Sequence, residues 1–215
     1  MKRANITNGA NFNRYFEDTF FEPGIPFNEA MMVGNSSSKL FSEEFCLKRA
    51  GELHTPIEEY NRNMSGFLQL MKNLNEVEEV VLWFGADTFC QLNLLTVLTY
   101  LEQINYAGRI FTVTIDDESF EVLREKSQVT LGEYRKLYDS TILQKVQPPC
   151  GDSVMCRAFA LYFDYLSDDG SLARMVKDNP GLPVKALAVK LLNASREYGI
   201  SDLMAYALIE KYAQK

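Results

Sequence analysis

Residues 77–115 read VEEVVLWFGADTFCQLNLLTVLTYLEQINYAGRIFTVTI, and the fold class follows from them. Val80, Val81, Leu82, Trp83 and Phe84 form an unbroken apolar run, the pattern of a strand covered on both faces. Gly85-Ala86-Asp87 is a turn, and a helix is expected from Thr88 to about Gln103. Asn105-Tyr106-Ala107-Gly108 ends that helix, and Arg109 to Ile115 reads as the next strand. A strand, a helix and a second strand in this order define a crossover between parallel strands.

Working outward, residues 4–7 and 24–27 read as two more strands, separated by a short helix over 11–18. Gly34-Asn35-Ser36-Ser37-Ser38 has loop composition. Ser42 can cap a helix reaching about Leu53. Thr55-Pro56-Ile57-Glu58 carries the signals of another helix start, with Thr55 as the cap and a helix reaching about Asn73. Beyond the second strand, Asp116-Asp117 can cap a short helix over 118–125. Thr130-Leu131-Gly132-Glu133 opens a further one, to about Ser140. Pro148-Pro149-Cys150-Gly151 marks a boundary, after which residues 153–166, 171–177, 183–198 and 202–213 all read as helix. The expected architecture is therefore α/β, a parallel Rossmann-like sheet flanked by helices over residues 1–147. A small all-helical C-terminal domain follows over 152–215.

Composition narrows the function classes. With 47% hydrophobic and 24% charged residues, the 215-residue chain can build a core, which argues against disorder. Polar residues follow Met1-Lys2-Arg3 where a secretory signal needs an apolar run, and the stretch 92–101 is too short to cross a bilayer. A cytoplasmic location with reduced thiols is the expectation. Cys46, Cys90, Cys150 and Cys156 form no CxxC pair, and His54 is the single histidine, so a zinc cluster is not expected. The net charge of −7 arises in the first 151 residues, because 152–215 holds eight acidic and eight basic side chains. Such a charge repels a phosphate backbone. No GxGxxG follows the first strand and no GxxxxGK[ST] occurs, so neither a nicotinamide dinucleotide nor a P-loop nucleotide signature is present.

Ligands of open parallel sheets bind beyond the carboxyl ends of the strands. The sequence puts Asn8, Gly9 and Asn11 there after the first strand and Asn28 and Glu29 after the second. Asp87, Cys90, Gln91 and Asn93 follow the third, and Asp116 and Asp117 the fourth. Asp87 is a candidate general base or metal ligand, and equally a helix N-cap. Cys90, in a first helical turn, is a candidate nucleophile with a stabilised thiolate, or a small core residue. Glu29 is a candidate acid or base. Asn8, Gly9, Asn28, Gln91 and Asn93 are candidates for hydrogen bonding a small polar ligand, with Asn93 equally read as facing solvent and Asn28 and Glu29 as a surface turn. Asp116 and Asp117 are candidates to hold a divalent cation with Asp87, or a turn cap and its solvated neighbour.

The run LWFGADTFCQLN at Leu82 to Asn93 resembles a bacterial family catalogued as a domain of unknown function. Ile6-Thr7-Asn8-Gly9, Pro26-Phe27-Asn28-Glu29-Ala30 and Tyr198-Gly199-Ile200-Ser201-Asp202 are similar to that family as well. The resemblance implies the division into an α/β part and a helical part, and the same choice of site. It implies no activity.

Two other readings come from the C-terminal helices. Residues 183–198 and 202–213 have the outline of a helix-turn-helix, but the second helix is apolar and acidic until Lys211, which does not suit reading a DNA groove. Leu187, Leu191, Leu203, Tyr206 and Ile209 can instead form a packing or homodimerisation surface, as in a regulatory or interaction module. The leading expectation is a site for a small polar molecule at the strand ends, with hydrolase or transferase activity as one outcome.

Overall fold

The computed structural model describes residues 2–149, 151 and 153–213, so Cys150 of the expected boundary lies outside the described residues. The chain opens with β1 (Arg3–Asn8), α1 (Gly9–Phe20) and β2 (Gly24–Phe27), followed by α2 (Glu43–Glu52), α3 (Ile57–Asn63) and α4 (Ser65–Lys72). Then come β3 (Glu79–Gly85), α5 (Thr88–Gln103), β4 (Arg109–Ile115) and β5 (Val122–Val129). The rest is helical: α6 (Tyr134–Tyr138), α7 (Val154–Leu166), α8 (Ser171–Lys177), α9 (Val184–Ala194), a 3-10 turn at Arg196–Tyr198 and α10 (Asp202–Tyr212).

The sheet order is β2-β1-β3-β4-β5, giving a Rossmann-like α/β arrangement. β2, β1, β3 and β4 are mutually parallel, and β5 runs antiparallel at the edge. The apolar run of β3 serves both faces, as its lack of alternation requires. Val80, Leu82 and Phe84 enter the larger cluster with α5, and Val81 enters a smaller one with Phe12 and Phe16 of α1. Helix α5 is buried on nearly all sides, from Thr88 to Leu101. That explains why its apolar residues do not fall on one stripe. Phe159 and Tyr162 of α7 belong to the same continuous cluster, as do Leu187 and Leu191 of α9.

The helix expected over 118–125 is not formed. Asp116 Oδ1 accepts the backbone N–H groups of Glu118 and Ser119, and Asp116 N–H donates to Glu121 O, which closes a tight reversal. The chain then runs back along β4, whose open edge offers backbone groups that a strand satisfies. Exposed Arg124, Glu125 and Lys126 blunt this new edge. Two helix starts also differ from expectation. The helix expected from Thr55 to Asn73 begins at Ile57 and breaks at Met64. Glu102, not a local capping box, receives the N–H groups of Gly132, Tyr134 and Arg135 at the start of α6. The helix expected over 183–198 ends at Ala194, and Gly199 closes the following 3-10 turn at φ 66°.

Among the described residues no helix is long and apolar enough to cross a membrane. Cys46 and Cys90 are free thiols, but Cys156 is disulfide-bonded, against the expectation of uniformly reduced cysteines. Of the five residues proposed as a packing surface, Leu187, Leu191 and Ile209 are buried within this chain, whereas Leu203 and Tyr206 are exposed.

Candidate functional site

The chain leaves β1 toward β2 on one side and toward β3 on the other, so the topological switch point lies between the carboxyl ends of β1 and β3. Asp87 stands there as the N-cap of α5, its Oδ1 accepting the Cys90 N–H at 2.8 Å. Asp117, from the turn after β4, reaches the same place. It is exposed as a residue, yet its Oδ1 accepts the Cys90 thiol at 3.1 Å and its carboxyl hydrogen-bonds Asp87. Two glycines make room for this pair. A Cβ at Gly85 would overlap the Asp117 carboxyl, and one at Gly199 would overlap Asp87 Oδ1.

Burial, followed by the hydrogen bond and charge of Asp87, pushes the Asp117 carboxyl up to about 8. Burial and the same two carboxyls push the Cys90 thiol well above its ordinary value. The stabilised thiolate expected at a helix start is therefore absent, because desolvation and neighbouring acid outweigh the helix terminus. What the arrangement offers is a carboxyl group that keeps its proton through neutrality, hydrogen-bonded to a second carboxyl. One donor atom from each of Asp87, Cys90 and Asp117 lies within 4.8 Å of the others, so these are the residues a single cation could touch. Asp116 is not among them. Its Oδ1 is committed to the turn, whose N–H groups at Ser119 and Glu118 hold its carboxyl below the usual range.

Asp87 and Asp117 border a cavity of about 440 Å³. Its further lining comes from Asp116, from Val154, Arg157 and Leu161 of α7, and from Arg196 and Glu197 of the 3-10 turn. The helical segment thus forms part of the site. Thr88 Oγ1 donates to Glu197 O at 3.1 Å and ties that turn to the start of α5.

The remaining candidates lie deeper or elsewhere. Asn8 precedes α1 without capping it. Its Nδ2 donates to Cys90 Sγ at 2.7 Å, and its Oδ1 accepts Asn93 Nδ2 at 3.0 Å. Asn93 also donates to Glu29 O at 2.7 Å and accepts the Met31 N–H at 3.0 Å, so this fully buried amide latches the ends of β1 and β2 onto α5. Gly9 begins α1 at φ 84°. Gln91 donates to Gly85 O at 2.6 Å and borders a second cavity, of about 510 Å³, under β4 and β5.

Glu29 joins none of this. Its carboxylate is paired with buried Arg49 and accepts Tyr60 OH at 2.7 Å. Asn28 donates to Asn63 O at 2.8 Å. The sequence reading missed Arg157 and Arg196, which reach the site only through the docking of α7 and the 3-10 turn. It treated Asp117 as no more than a cation ligand or a solvated neighbour. Gly85, directly after the apolar strand, was the one local signal of a close approach there. No family model, no curated protein and no solved structure matches the chain.

Proposed function

We propose that the cavity binds a small polar molecule and that Asp117, sharing its proton with Asp87, transfers a proton to or from it, as a hydrolase or transferase requires. One observation carries this reading. Two carboxyl groups, seated by Gly85 and Gly199, meet at the border of a cavity at the sheet's carboxyl edge. A carboxyl group whose proton is held to about pH 8 is matched to acid–base work near neutrality. The cavity has the volume of a small-molecule site. Cys90, kept as a neutral thiol, acts as a hydrogen-bond donor to Asp117 and not as a nucleophile. A cytoplasmic location agrees with free Cys46 and Cys90 and stands against the disulfide at Cys156.

The test is a thermal-melt screen against amino acids, sugar phosphates, nucleotides and divalent cations, repeated with Asp117→Asn and Asp87→Asn. A ligand at 100 times its dissociation constant stabilises by about 2.7 kcal/mol. The expected result is a shift in the wild type that both variants lose. A shift that persists in both would remove the carboxyl pair from the site. No shift with any compound would favour the interaction-module reading.

A further inference from the structure

The charges around the cavity are of both signs. Arg157, exposed on the first turn of α7, has no salt-bridge partner among the described residues. Among the described residues Arg196 has one salt bridge, with Glu118 at 3.2 Å, and both side chains are largely in solvent. A surface pair of that kind is weak and easily exchanged. The same cavity is lined by Asp116, Glu197 and the Asp87–Asp117 pair. With the pair's shared proton counted, the formal charge of this lining is three negative against two positive. Apolar Leu123, Val154 and Leu161 complete much of the lining.

Resting on the reading that this cavity is the ligand site, we propose that it takes a small zwitterion with an apolar body, an α-amino acid or a comparable aminocarboxylate. The ligand's carboxylate meets the Arg157 fork, whose paired N–H groups match a carboxylate. Its ammonium group meets the acidic side of the cavity, and its apolar part covers Leu123, Val154 and Leu161. Other ligand classes fit less well. A phosphate dianion would face the acidic majority. A simple amine would leave Arg157 unanswered. A neutral polyol would leave the apolar wall unused.

The test uses three probes with one body and different charges: L-phenylalanine, 3-phenylpropanoate and phenethylamine, each titrated calorimetrically into the full chain. Phenylalanine is expected to bind about tenfold tighter than either singly charged probe, the worth of one charge-assisted contact. Arg157→Gln, a surface change that leaves melting unaltered, should weaken phenylalanine and phenylpropanoate about tenfold and leave phenethylamine unchanged. A singly charged probe that matches phenylalanine would overturn the proposal. So would an Arg157→Gln protein with undiminished phenylalanine affinity, or the failure of all three probes to bind. The two readings separate cleanly. Weakening by Asp117→Asn but not by Arg157→Gln keeps the cavity and discards the zwitterion. Weakening by Arg157→Gln alone keeps the zwitterion and discards the role of the carboxyl pair.

Discussion

Two groups of acid stand at the carboxyl edge of the sheet, and they are built on opposite terms. Around Glu29 every charge is answered. Arg49, wholly buried, clasps both carboxylate oxygens and spends its remaining N–H groups on the carbonyls of Ala30, Val33 and Asn35. Around Asp87 and Asp117, two carboxyls and a thiol are gathered with no salt bridge to either carboxyl among the described residues. A paired buried charge locks a loop in place. An unpaired like-charged cluster must retain a proton, and this one lies beside an open cavity. Strain of that kind is tolerated where chemistry or binding uses it. The comparison therefore separates architecture from function among residues that look alike in the sequence.

The sharpest way to break it is to remove the cation from the answered group. Arg49→Met leaves Glu29 buried without a counter-charge and should cost about 3–5 kcal/mol in urea denaturation. The double variant Arg49→Met with Glu29→Gln should recover part of that loss. If Arg49→Met costs no more than a surface substitution, Glu29 is not held by this pair and returns as a candidate acid.

The next effect tests whether glycine seats the unanswered group. Gly199 sits at φ 66°, and a Cβ there would press on Asp87. Gly199→Ala should cost about 1–2 kcal/mol for the left-handed backbone alone. Because it also displaces Asp87, it should abolish the ligand-induced melting shift as well. A loss of stability with an unchanged shift would mean that the glycine serves only the turn.

Much of this was legible locally. The apolar run at Val80–Phe84 and the cap at Asp87 announced β3 and the start of α5, because burial on both faces and capping each act within a few residues. The strand β5 was not legible. Its residues are exposed, and it exists to pair the open edge of β4, which no local pattern encodes. The site was half legible for the same reason. Asp87, Cys90, Asn8 and Asp117 all stand at or just after strand ends, but that Asp117 meets Asp87 depends on Gly85, far away in sequence, which leaves room for its carboxyl. Glu29 was indistinguishable from a catalytic acid until Arg49 arrived from α2.

A smaller effect should appear as a pH profile. Asp117 keeps its proton in the folded chain up to about pH 8 and loses it near pH 4 when unfolded. Between those limits the native state binds one more proton, so its contribution to stability falls as pH rises and is constant above the folded value. Asp117→Asn carries no such titration. It should match the wild type at pH 4 and exceed it by about 1–2 kcal/mol at pH 8, less than full linkage because the residue's outer side meets water. Parallel stability curves for the two proteins would mean that Asp117 is not desolvated in solution.

The smallest stability effect tests the question on which Asp87 divides. Asparagine caps a helix about as well as aspartate, so near pH 4, where the Asp117 linkage vanishes, Asp87→Asn should change stability by only a few tenths of a kcal/mol, about the difference between two good caps. Asp87→Ala, which removes the acceptor of the Cys90 N–H, should cost about 1 kcal/mol. If Asp87 is only a cap, ligand binding should follow stability and survive in Asp87→Asn. If it shares the proton of Asp117, binding should fail in both variants although the asparagine variant is at least as stable as the wild type. The asparagine also removes the Asp87 charge that helps hold Asp117 protonated. The Asp117 titration should then move down toward the ordinary carboxylate range, which carbon-detected NMR of the carboxyl groups would follow directly. A cap with no part in the site could not produce lost binding together with a displaced titration, whose linked gain in stability would show only above pH 4.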